Sequence, residues 1–89
     1  MGAICLHVMI SGHVQGVFFR RHAYEQAQTF NVTGWIKNLP DGRVEALICG
    51  EPESVELMRE WIKHGPPAAK VTNVVVEEVP FEPHPKFEY

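Results

Sequence analysis

Residues 4–30 read ICLHVMISGHVQGVFFRRHAYEQAQTF, and the change of period inside this stretch decides how the rest of the chain has to be arranged. From Ile4 to Ile10 the pattern is that of a short strand with Leu6, Val8 and Ile10 on one face, broken by Ser11 and Gly12. From Phe19 the interval lengthens. Phe19, Ala23, Ala27 and Phe30 are spaced four, four and three apart, one stripe of an amphipathic helix, and Asn31 suits the left-handed residue that ends it.

Two further strand-like runs follow, Val32 to Asn38 and Arg43 to Cys49, separated by Leu39, Pro40, Asp41 and Gly42, a turn short enough to make them a hairpin. A second helix is clearly punctuated, with Glu51 and Glu53 at its electropositive end, Pro52 in its first turn, and Gly65, Pro66 and Pro67 beyond its last. Val55, Leu57, Met58, Trp61 and Ile62 are expected within its apolar arc. The β-branched run Val71 to Val79 is a strand, and Phe87 and Tyr89 suit a last short one. The resulting order is β-α-β-β-α-β, without a repeat or linker. Two right-handed βαβ halves around a hairpin give an α+β fold, a ferredoxin-like split β-α-β sandwich. Its single four- to five-stranded antiparallel sheet carries both helices on one face, and residues 1–89 are expected to form one domain.

The chemistry is expected between the first strand and the first helix, in Ser11, Gly12, His13, Val14, Gln15, Gly16, Val17, Phe18, Phe19 and Arg20. Glycines at 12 and 16 let the backbone curl so that successive N–H groups point inward, and the loop empties into the positive end of a helix. That is a nest of phosphate size. Arg20, in the first helical turn, adds a planar fork of donors matched to two phosphate oxygens. Val14, Val17 and Phe18 are expected to pack the loop into a fixed shape.

Composition limits the partners. The chain has 89 residues, 45% of them apolar, and a formal charge of −3. Folding a chain of this length buries somewhat over ~60% of its surface, enough for one core. The acid is concentrated in the second half: residues 1–50 hold four Lys or Arg against three acids, and residues 51–89 four against eight. No acid precedes Glu25, so a local positive spot sits on an acidic protein, which suits a small anion better than nucleic acid. A sheet that stacks bases would carry aromatics on its first and third strands. The outward positions there hold Cys5, His7, Met9, Arg43, Glu45 and Leu47. No apolar run approaches the ~20 residues of a membrane span, and Ile4 to Ile10 lacks the basic lead and length of a signal peptide. No membrane association is expected, and a cytoplasmic location is.

Two separate motifs carry a family resemblance. Gly12, Val14, Gln15, Gly16, Val17, Phe19 and Arg20 form the first, and Gly34, Trp35, Lys37, Asn38, Gly42, Val44 and Gly50 the second. In both, and in its β-α-β-β-α-β order over nearly its whole length, the chain resembles the acylphosphatase family. Ile36, where a smaller aliphatic is usual, and Asn31, where Gly is frequent, depart from the pattern without touching a reacting group. The resemblance implies hydrolysis of carboxyl phosphates to carboxylate and inorganic phosphate by a metal-independent enzyme without cofactor. In it the loop His13, Val14, Gln15, Gly16, Val17, Phe18, Phe19 and Arg20 binds phosphate, Arg20 is the principal binder, and Asn38 holds the attacking water. A monomer acting on a small acyl phosphate, with inorganic phosphate as competitive inhibitor, is expected; the alternative is a catalytically silent phosphate-binding or regulatory domain.

The remaining reactive side chains have structural explanations. His7, His13, His22, His64 and His84 show no metal-ligand spacing, and Asp41 is accounted for by its turn. Trp35, Trp61, Phe19 and Phe30 are expected in the core. Cys5 and Cys49 fall on one sheet face at adjacent strand ends, which leaves a disulfide open to them, although two thiols are the expectation for a reducing compartment.

Overall fold

The computed structural model describes residues 2–89. Alternation of apolar and polar side chains produces β1 (Ile4–His13), and the four-residue stripe produces α1 (Phe19–Phe30), which buries Phe19, Ala23 and Ala27. Asn31 ends α1 at φ 61°, and its N–H, with that of Val32, returns to the last turn. The hairpin strands are β2 (Thr33–Asn38) and β3 (Val44–Gly50). The second helix, α2 (Pro52–Ile62), starts with Pro52 after an extended Glu51 and is followed by β4 (Lys70–Val79) and β5 (Phe87–Glu88).

These strands form one sheet in the order β4-β1-β3-β2-β5. The four long strands pair antiparallel, as the split arrangement requires. The fifth departs from the antiparallel expectation. β5 lies parallel to β2, with Gly34 opposite Phe87, because the chain returns from β4 across the sheet before laying its last residues on the outer edge. Leu6, Val8 and Ile10 of β1 face Ile48, Ala46 and Val44 of β3 and pack with Val55, Met58 and Ile62 of α2 and the buried face of α1. One closed core between sheet and helices results, at ~25 cal/mol for each Å² of apolar surface withdrawn from water. Among the described residues no helix is long and apolar enough to cross a membrane.

Two expected core positions lie elsewhere, and a third sits at the core's margin. Leu57 is 53% exposed, since it lies two residues, some 200° of helical turn, from the buried Val55. Trp35 is on the opposite face of the sheet, beneath Lys37 at 5.1 Å, because its neighbours Gly34 and Ile36 take the inward positions of β2. Trp61 is partly buried and meets Phe19 edge-on at 5.5 Å, joining α2 to the start of α1.

The outer face carries a small cluster of its own, made by Cys5, Leu47 and Cys49 with Trp35 and Val79. Cys5 and Cys49 are directly opposite in the β1–β3 register, with Cα atoms 4.1 Å apart, and are joined by a disulfide where two thiols were expected. The register itself is the reason. Adjacent antiparallel strands bring non-hydrogen-bonded partners to about 4.5 Å, close enough for the two sulfurs to meet.

Candidate active site

β1 and β2 both run antiparallel to β3, so their C-terminal ends emerge on the same side of the sheet. That geometry brings His13, at the end of β1, and Asn38, at the end of β2, to one edge. A cavity of about 370 Å³ opens there, lined by Val14, Gly16, Phe18, Phe19, Arg20, Arg21, Asn38 and Tyr89. Arg20 and Asn38, 18 positions apart in the chain, therefore share one pocket.

The two glycines of the first motif do different work. Gly12 lies within β1, at the bulge where the register with β4 shifts, at φ 127°; a Cβ there would stand 2.1 Å from the Lys70 carbonyl oxygen and 2.8 Å from the Thr72 nitrogen. It is required by the close approach of β4 and not by curling of the loop, which begins after His13. Gly16, at φ 76° with open space around it, is the glycine that turns the loop.

Val14 and Val17 are buried and anchor the loop, as expected of them. Phe18 is not: it is 74% exposed and lines the cavity. It occupies the cap position of α1 at φ 61°, ψ 28°, which turns its ring out of the core, and gives no side-chain hydrogen bond to the helix. The first turn also lacks an acidic residue. The N–H groups that open an α-helix have no intrahelical acceptor, so α1 presents them, with the positive end of its dipole, beside Arg20.

Gln15 has a role that the motif alone does not reveal. Its side-chain amide donates to the carbonyl of Leu39 at 2.8 Å and to that of Arg43 at 2.9 Å, the two residues that close the β2–β3 turn. Leu39 N–H in turn donates to the same Arg43 carbonyl at 2.8 Å. Asn38, opposite Val44 in the last pair of the ladder, is thereby tied to the loop through its neighbour. Asp41 behaves as a turn residue, accepting from Arg43 N–H at 3.0 Å and Arg43 Nε at 2.8 Å, and these bonds, the backbone one foremost, hold its carboxyl below the usual range.

Arg21 and Tyr89 line the pocket without having been singled out in the sequence. Arg21 has the signal of adjacency to Arg20. Tyr89 has none, since only the parallel docking of β5 on β2 carries it to the cavity, where its ring lies 4.6 Å from that of Tyr24. His13 ends β1 exposed, outside the cavity wall. His7 faces away from it and bonds Glu45 at 2.6 Å on the outer sheet face. Among the described residues no group of three or more His, Cys, Asp or Glu side chains is placed to hold a metal.

The sequence pattern of the acylphosphatase family matches residues 6–89. An acylphosphatase of Coxiella burnetii strain RSA 493 is 47% identical over 83 residues, which cover 93% of this chain and 87% of that protein. The structure of an acylphosphatase from Coxiella burnetii superimposes with a TM-score of 0.93 at 45% identity, over 97% of this chain and 90% of the other. That of an acylphosphatase from Bacillus subtilis gives 0.92 at 36% identity, over 96% of both chains. Agreement along nearly the full length, in sequence and in backbone alike, places the chain in the acylphosphatase family.

Proposed function

We propose that Arg20 and the loop from His13 to Arg20 bind the phosphate of an acyl phosphate, and that Asn38 positions the water that attacks it. As an acylphosphatase the protein hydrolyses acyl phosphates to carboxylate and inorganic phosphate. The observation that carries the assignment of roles is the meeting of Arg20, Asn38 and the start of α1 in one cavity. Arg20 offers a fork of N–H donors that spans two equatorial oxygens, and the amides at the head of α1 meet the same charge. The Asn38 side-chain carbonyl accepts one proton of a water and aims a lone pair at phosphorus, in line with the bond to the acyl oxygen.

The step balances without an acid or base in the pocket. A bond forms from the water oxygen to phosphorus while the phosphorus–acyl oxygen bond breaks, its electron pair leaving with the carboxylate. The water's protons go to the phosphate product and to solvent. A leaving group whose acid has a pKa near ~4 needs no proton, and a loose transition state asks for little proton removal from the nucleophile. Catalysis then rests on position and on charge stabilisation.

Metal independence is part of the proposal. The loop contains no carboxylate, Glu25 pairs with Arg21 and His22 on the exposed side of α1, and Asp41 is held by Arg43. The protein is also proposed to act as a monomer.

The test is hydrolysis of an aryl carboxyl phosphate in the presence of a chelator, with inorganic phosphate as inhibitor. Chelator should leave the rate unchanged, and phosphate should compete with substrate. Arg20→Lys should weaken phosphate inhibition and lower kcat together, since the same fork meets more charge in the transition state. Asn38→Ala should lower kcat by roughly 10²-fold while phosphate binds nearly as before. An Asn38→Ala variant that kept more than about a tenth of the kcat would reassign the water.

A further inference from the structure

Arg20, the loop amides and Asn38 all address the phosphate end of a substrate, and none of them is matched to what lies beyond the anhydride oxygen. Two aromatic side chains are exposed at the same cavity. Phe18 lines it with 74% of its surface exposed, and Tyr89 lines it with 52% exposed. Large apolar side chains are ordinarily recruited to the core, and the cap of a helix ordinarily goes to Ser, Thr, Asn, Asp or Gly. Phe18 violates both preferences and adds a third, a positive φ of 61° at a residue with a bulky side chain. Nothing in the protein's own packing offsets that combination, because the ring makes no part of the core cluster. A strained residue held at the mouth of a binding cavity points to a ligand that covers it.

We propose that Phe18 and Tyr89 form the acyl-group subsite, and that it selects aromatic acyl phosphates over short aliphatic ones; this rests on the catalytic reading above. The Tyr89 ring is held by its stacking on Tyr24 at 4.6 Å, so this wall is already in place before a substrate arrives. Arg21, which also lines the cavity, lies 3.5 Å from the Glu25 carboxylate, so its charge has a partner on α1. A benzoyl group can meet such rings edge-on or offset-stacked, and an acetyl group offers a single methyl.

The experiment compares kcat/KM for benzoyl phosphate and acetyl phosphate in the wild type, Phe18→Ala, Phe18→Tyr and Tyr89→Ala. Alanine at 18 keeps the positive-φ strain and removes the ring, so a loop that is merely misshapen lowers both substrates alike and leaves their ratio unmoved. The wild type should favour benzoyl phosphate by about 10-fold or more. Phe18→Ala and Tyr89→Ala should each shrink that preference by about 3- to 10-fold, and Phe18→Tyr should restore it. A preference unchanged within about twofold in both alanine variants overturns the subsite while the catalytic reading stands. A wild-type protein that hydrolyses neither anhydride overturns both.

Discussion

The side-chain amide of Gln15 reaches 24 residues along the chain to Leu39 and 28 to Arg43, and through them it sets where Asn38 stands relative to the loop from His13 to Arg20. Under the proposed mechanism it is a positioning residue, acting on the reaction through Asn38. Gln15→Glu keeps the shape but replaces both donated bonds with oxygen facing oxygen, and should destabilise the protein by about 1–3 kcal/mol. With Asn38 displaced from the line of attack, kcat should fall by roughly 10-fold, more than the affinity for inorganic phosphate does. Denaturant titration and inhibition kinetics on the same variant read the two effects separately, and equal losses in kcat and phosphate affinity would remove the positioning role. At this scale the identity of the residue was legible in the first motif and its partners were not. Hydrogen bonds to main-chain carbonyls leave no mark on the sequence that contributes them.

Among the elements, β1 and β3 are joined by seven register partners and by a covalent link between Cys5 and Cys49. A bond closing a sequence separation of 44 residues acts chiefly on the unfolded chain, where it removes about 4 kcal/mol of loop entropy in the usual estimate. Oxidised protein should therefore resist urea more than the same protein held in thiol reductant, by up to that amount. The kcat should be the same in both, because Cys5 lies near the opposite end of β1 from the loop. Free-thiol titration of the oxidised monomer should find no free cysteine; two would break the pairing described here. Element types and order were legible throughout from period and punctuation, from the stripe of α1 to Pro52 at the start of α2. What escaped were directions and faces. Phe18 belonged to an apolar stretch yet points outward, because the backbone leaves the loop in the left-handed region before the helix begins.

Over the whole molecule the two sheet faces have different physics. The helices seal one, and the other carries His7, Glu45, Lys37 and Trp35 in one polar network. The hydrogen bond with His7 foremost, and the charge of Lys37, hold the Glu45 carboxyl below its ordinary value of 4.5 against the opposing effect of partial burial. A carboxyl depressed on folding contributes stability that is fully present above that ordinary value and is lost as pH falls through the folded one. Glu45→Gln should thus cost roughly 0.5–1 kcal/mol near neutral pH. The difference from wild type should shrink as the pH is taken below 4.5. Denaturation curves at several pH values check this, and a constant difference down to full protonation would assign the loss to packing.

The amino-acid sequence by itself determined the order of elements and the inward faces of β1 and α1, because periodicity, caps and turn chemistry are local properties of the chain. Only the tertiary structure decided that β5 runs parallel to β2 and brings Tyr89 to the cavity, that Gln15 bridges to the hairpin, that Gly12 serves a bulge, and that Phe18 stands outside the core. Each of these depends on which distant backbone arrives alongside, and that is set by the closing of the sheet and its core as a whole.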